Sequence, residues 1–233
     1  MSKLTEKADP MKLKQLCKPL AQILAVAALS AGAMAAPITY AESGAGTGDL
    51  PLTAEVIGGG AQNGLTITGD LRDGRGGFVP NLVDMFRFTV GQAGTYFFDT
   101  FGSDIPDPSL FLFDSAGNGL YWNNDASIAP ANTQSSFATA LGLGDYFIAV
   151  AFYGMDADDG FGSIFDTLGS NGGTAFAGTG AVVGWSDFYG QTIWDDTAYS
   201  INIRVPEPGA LALSLAALGL LAGFSRRRQA TRA

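Results

Sequence analysis

Three groups of side chains in this 233-residue chain have types and spacing suited to chemistry. Asp104 and Asp107 precede one apolar run, and Asn123, Asn124 and Asp125 follow the next. A hairpin joining the two runs would bring these oxygens together at its open end. Calcium takes six to eight ligands of this kind from carboxylates, amides and carbonyls. The same residues also initiate turns with no metal present, and both accounts stand. The second group, Asp156-Ala157-Asp158-Asp159-Gly160, alternates carboxylates before a glycine as a calcium loop does. Thr167 occupies the position where an EF-hand loop would carry its glutamate, so this is not an EF-hand. A solvated acidic turn is the ordinary account of it. The third group is aromatic: Phe176, Trp185, Phe188, Tyr189 and Trp194, set among Gly, Ser and Asp. Ring faces beside polar side chains hold sugars by stacking and hydrogen bonding, which makes Trp185, Tyr189 and Trp194 candidate glycan contacts. Packing in a core competes with that role.

What the chain lacks narrows the chemistry further. It has no histidine, which removes Ser-His-Asp and Cys-His nucleophilic sites and histidine-ligated zinc. No phosphate-binding loop or dinucleotide fingerprint occurs. Residues 37–204 carry 19 Asp and Glu, of which only Glu42 and Glu55 are glutamates. A cryptic glycosidase working through a carboxylate pair is therefore a third-ranked reading, and the chain is expected to be non-catalytic. The same 168 residues hold four arginines and no lysine, a net charge of −15. Such a surface repels nucleic acid and anionic lipid and favours divalent cations and neutral polymers. Calcium is the one candidate cofactor.

These groups need a scaffold, and residues 37–204 have the length for a single core. Period-two alternation of apolar and polar residues predicts strands at 65–71, 86–90, 95–101, 109–113, 119–122, 137–140, 146–152 and 197–205. Gly and Asn-rich turns at 91–94, 114–118 and 141–145 predict three hairpins. No stretch sustains a 3.6-residue period. The expected fold is all-β, an antiparallel β-sandwich of jelly-roll-like form. A Gly-rich insertion spans about 154–196, and loops on a rigid sandwich commonly carry binding.

Both termini read as targeting segments. Lys12, Lys14 and Lys18 precede an apolar run at 20–29 and then Ala33-Met34-Ala35-Ala36. This is the order of a signal peptide, an N-terminal signal helix over 1–36 cut after Ala35 or Ala36, with Met11 as the alternative start. Cys17, the only cysteine, leaves with it. At the other end Val205-Pro206-Glu207-Pro208 precedes an apolar segment and then Arg226-Arg227-Arg228. The 16 residues 209–224 would span about 24 Å as a helix, short for a bilayer core of roughly 30 Å. The arginines would hold its end on the cytoplasmic side. A single transmembrane helix over about 209–225 is the expectation.

Residues 205–233 closely resemble the PEP-CTERM sorting signal of Gram-negative bacteria that make exopolysaccharide. The resemblance implies an exosortase-type membrane protease as partner and the envelope, surface or matrix as destination. A second resemblance lies in Val83-Asp84-Met85-Phe86-Arg87-Phe88-Thr89-Val90, in Gly94-Thr95-Tyr96-Phe97-Phe98, in 107–118 with Asn123-Asn124-Asp125, and in 143–150. These look like the bacterial pre-peptidase C-terminal domain, which implies an accessory sandwich without chemistry of its own. The combined expectation is an exported protein of the biofilm matrix that contacts exopolysaccharide. The alternative is a calcium-stabilised structural envelope protein with no specific glycan ligand.

Overall fold

In the computed structural model the described residues are 37–43, 48–58, 61, 64–71, 82–126, 132–167, 170–187 and 197–205. The predicted signal helix, its cleavage site at Ala33, Ala35 and Ala36, the transmembrane helix at 209–225 and the sorting residues Pro206, Glu207, Pro208 and Arg226–Arg228 lie outside them. Among the described residues no helix is long and apolar enough to cross a membrane. Residues 35–206 form one compact unit.

That unit is all-β. Its strands are β1 (Ile38–Ala41), β2 (Glu55–Val56), β3 (Leu65–Asp70), β4 (Val83–Val90), β5 (Gly94–Asp99), β6 (Pro108–Asp114), β7 (Gly119–Asn123), β8 (Ser136–Leu141), β9 (Gly144–Phe152), β10 (Met155–Asp158), β11 (Gly172–Thr174), β12 (Gly184–Asp187) and β13 (Ala198–Arg204). One sheet runs β1-β3-β13-β5-β8 and the other β11-β7-β6-β9-β4-β2, with β10 and β12 paired separately. The sheets pack face to face. Phe86, Phe88, Leu110, Leu112, Ile148 and Val150 from one face meet Leu65, Ile67, Tyr96, Phe98, Ile201 and Ile203 from the other. Phe88 and Phe98 close the gap edge to face at 6.2 Å. This inward set is what period two predicts.

Two expectations are corrected. The turns at 91–94 and 141–145 do not make hairpins. β4 pairs with β9 and β5 with β8, so each of these turns carries the chain from one sheet to the other. Alternation reports which face a strand buries, not which strand it pairs with. Only the β6–β7 hairpin forms as expected, with a bulge after Leu112 and Gly117 in the left-handed region at φ +87°. Second, the sandwich is not wholly antiparallel: β1 pairs with β3, and β2 with β4, in parallel.

The insertion forms a third layer. Met155, Ala157, Ile164, Phe165 and Val182 pack over the outer face of the larger sheet, against Val83, Met85, Phe111, Phe113, Trp122, Phe147 and Ala149. This explains why 147–152 of β9 is buried on both faces, as a strand covered on both sides must be. The fit is close. A Cβ on Gly119 would lie 2.5 Å from Ile164 Cγ2 and 2.7 Å from Phe165 Cζ.

Strand directions divide the sandwich into two ends. β13 finishes beside the start of β3 and the start of β5, and parallel pairing brings the start of β1 there too. This tail end also carries the 91–93, 114–118 and 142–143 turns. The opposite, distal end carries 100–107, 123–126, 132–135 and 153–154.

Candidate functional site

The hairpin β6–β7 brings the first predicted group together at the distal end. Asn123 is buried; its Nδ2 donates to the carbonyls of Asn171 at 2.9 Å and Asp125 at 3.1 Å, and its Oδ1 accepts from the Ser136 amide at 2.6 Å. Asn124 Oδ1 accepts from the Ser109 hydroxyl at 3.1 Å, and Asn124 Nδ2 donates to Asp125 Oδ2 at 3.4 Å. Asn171 Nδ2, from the insertion, donates to that same Asp125 oxygen at 2.5 Å. The Ser135 hydroxyl lies 2.7 Å from the Pro108 carbonyl and 2.6 Å from that of Asn123. Most of these oxygens are thus engaged within the protein.

Asp107 is the exception. Its Oδ1 is buried without a hydrogen-bond partner. Burial first, and the neighbouring charge of Asp125 second, push its carboxyl up to about 6. Asp125 is also raised by burial, against the Asn171 hydrogen bond that favours its charged form. Asp104 stands apart, exposed, with its amide donating to the Ala198 carbonyl at 2.9 Å. No group of three or more acidic side chains able to hold a metal converges among the described residues. Two aromatic rings flank this end: Phe101 is 43% exposed and Tyr153 41% exposed. The Tyr153 amide donates to the Asp107 carbonyl at 3.0 Å.

The aromatic group is divided by the structure. Trp185, on β12, is half-buried, its ring edge-on to Phe111 at 5.1 Å and to Phe113 at 6.2 Å. Its Nε1 donates to the Asp49 carbonyl at 2.6 Å. Its ring therefore joins the core beneath the insertion. Phe176 is half exposed. Phe188, Tyr189 and Trp194 lie outside the described residues.

The acidic group at 156–160 is divided as well. Asp159 Oδ1 accepts from the Phe161 amide at 2.9 Å and the Gly162 amide at 3.1 Å, and Oδ2 from the Gly180 amide at 2.8 Å. These amides hold its carboxyl below the usual range. Asp158 Oδ1 accepts from the Gly160 amide at 2.6 Å. Both are turn-forming carboxylates. Asp156 is buried.

A further polar cluster escaped the sequence reading. Asp84 sits fully buried between the sheets near Tyr199, whose hydroxyl donates to Glu42 Oε2 at 3.1 Å. Burial and the two carboxylates push the Tyr199 hydroxyl up. Its signal was present: Asp84 shares the period-two face of Phe86 and Phe88.

The chain ends its last strand where its sorting information begins. Asp99 is buried and accepts from Arg204 Nη2 at 2.6 Å and from Asn202 Nδ2 at 2.8 Å. Residues 204–229 match the PEP-CTERM protein-sorting motif, so the motif's first residue is also part of the fold. The chain thus carries the signal of an exported protein sorted by an exosortase to the envelope or surface of a Gram-negative bacterium. Among curated proteins none matches it. Among solved structures it is similar to the pre-peptidase C-terminal domain of a collagenase from Bacillus anthracis. That match has a TM-score of 0.30 and 10% identity and covers 73% of this chain and 96% of that one.

Proposed function

We propose that this is a non-catalytic surface or matrix protein whose distal end contacts exopolysaccharide. The observation that carries this reading is the polarity of the sandwich. β13 delivers the sorting motif at one end. The exposed rings of Phe101 and Tyr153, with the Asp107–Asp125 polar cluster, lie at the other. Rings beside carboxylate and amide groups are the usual furniture of a sugar-binding face. A net charge of −15 over 37–204 directs it toward a neutral or cationic polymer, or toward an anionic one bridged by calcium.

The test is co-sedimentation of residues 37–206 with the exopolysaccharide of the producing cell, in calcium. Saturable pelleting is expected, weakened by Phe101→Ala and Tyr153→Ala. Tyr189→Ala and Trp194→Ala measure the insertion's share. Absence of saturable pelleting removes the glycan reading.

A second reading has its own observation. The buried, partnerless Asp107 Oδ1 beside Asp125 supports a calcium-stabilised envelope domain with no specific glycan. Calcium would then raise the melting midpoint of the wild type without pelleting, and Asp107→Asn would abolish that rise.

A further inference from the structure

The exposed apolar side chains of this molecule are not spread evenly over it. Among the described residues the three most exposed large ones are Phe161 at 100%, Leu52 at 99% and Leu143 at 71%. All three belong to the tail end. Leu143 lies in the 142–143 turn between β8 and β9. Phe161 arrives there through the insertion. β10 starts after the distal 153–154 turn and finishes at Asp158, whose carbonyl accepts from the Val183 amide at 2.9 Å. The Val182 amide donates in turn to the carbonyl of Gly117, in the 114–118 turn, at 3.0 Å. Val183 is itself more than half exposed and adjoins the Phe161 turn: its Cγ2 would lie 3.4 Å from a Cβ on Gly160. Leu52 follows Pro51, whose Cγ would lie 3.0 Å from a Cβ on Gly117. One exposed apolar side chain is ordinary. Four on separate loops at one end of a sandwich call for a partner.

The surroundings limit what that partner is. The Phe161 ring is held out on a fixed turn, since Asp159 Oδ1 accepts from the Phe161 and Gly162 amides. Nearby carboxylates are answered within the protein: Asp145 pairs with Arg87, and Asp114 Oδ1 accepts from the Ala116 and Asn118 amides. A protein partner needs a continuous complementary patch. Separate protruding tips suit a bilayer interface, where fluid lipid closes around each inserted side chain. The chain itself points to the same partner. Only Pro206, Glu207 and Pro208 separate Val205 from the apolar run that begins at Gly209. At full extension that stretch reaches at most about 14 Å.

We propose that, before the sorting segment is cleaved, the tail end docks on the bilayer surface through Phe161, Leu143, Leu52 and Val183. The proposal rests on reading 209–225 as the membrane segment. The net charge of −15 over 37–204 selects zwitterionic rather than anionic lipid. Docking turns the distal end away from the membrane and keeps the sorting motif beside the lipid, where a membrane protease works.

The test uses the full chain with Cys17→Ser, reconstituted in phosphatidylcholine vesicles that carry nitroxide-labelled lipid. A fluorophore is placed on one cysteine at a time: Phe161→Cys, Leu143→Cys, the distal Phe101→Cys and Tyr153→Cys, and Ala216→Cys within the apolar run. Labels at 161 and 143 should be quenched severalfold more than those at 101 and 153, and the label at 216 should be quenched too. Quenching at 216 with none at 161 and 143 overturns the docking and keeps the anchor. Quenching at 161 and 143 with none at 216 keeps the docking and removes the anchor. No quenching at any position removes both. Adding Leu52→Asp and Val183→Asp should lower quenching at 161 severalfold; unchanged quenching would show that the tether alone brings the loop to the lipid, and overturns the docking. Protection of position 161 from aqueous iodide that disappears at one copy per vesicle would assign the surface to a second copy and also overturn it.

Discussion

Single residues in this molecule differ by whether their charge is answered. Asp145 accepts from the Thr89 hydroxyl and Arg87 Nη2, both at 2.6 Å, and is held below the usual range. Asp107 has no such help and is raised to about 6. A carboxyl whose folded pKa exceeds its unfolded value binds a proton more tightly when folded. Its contribution therefore favours the folded state at acid pH and is lost as pH rises from about 4 to about 6. In calcium-free buffer, Asp107→Asn should flatten this part of the stability profile and stabilise the protein at pH 7. An unchanged slope in urea titrations at pH 4, 5, 6 and 7 would show that Asp107 is solvated. Arg204 carries the converse case. Replacing it with Met leaves buried Asp99 with the Asn202 amide and the Phe101 amide, and should cost about 1–3 kcal/mol by chemical denaturation. A loss within error would mean that neutral donors suffice.

At the level of elements, β13 governs the order in which the fold can close. It lies between β3 and β5 in the smaller sheet, yet it is the last strand before the sorting motif. The sheet cannot be completed until the chain has emerged through Arg204. Truncation after Thr197 should therefore abolish cooperative unfolding, because Tyr199, Ile201 and Ile203 leave the core together. A cooperative melt from the truncated chain would show that β3 and β5 close without it. The insertion makes the opposite point. Its glycines and polar residues suggest a solvent-exposed loop, but every second residue of β10, Met155 and Ala157, faces a second core. Four residues are too few for alternation to register against the noise of a Gly-rich background. Between the two accounts the sequence left open for Trp185, glycan contact and core packing, the structure shows its indole packing on Phe111 and Phe113.

For the whole molecule, charge and polarity of the ends matter most. With −15 over 168 residues, the folded sandwich repels itself at low ionic strength. Raising sodium chloride from 10 to 150 mM shortens the Debye length from about 30 to about 8 Å and should raise the melting midpoint. A midpoint that falls instead would show that the Arg87–Asp145 and Arg204–Asp99 pairs outweigh the net repulsion.

What the sequence determined by itself was local or compositional. Eight strands were legible because burial of alternate side chains leaves a period-two trace that needs no partner to be seen. The sorting motif was legible because Pro, Glu, apolar segment and arginines act in linear order. The missing histidine and the acidic surplus were legible from counting. Tertiary structure decided what depends on residues distant in the chain. It chose sheet-to-sheet crossings at 91–94 and 141–145, since the turn's residues do not encode which edge a strand will meet. It placed Asn171 on Asp125 across 46 positions and Ser186 opposite Asp156 across 30. It also turned a Gly-rich stretch into a third layer. Pairing and burial are satisfied by the whole chain at once, and no window of neighbouring residues carries them.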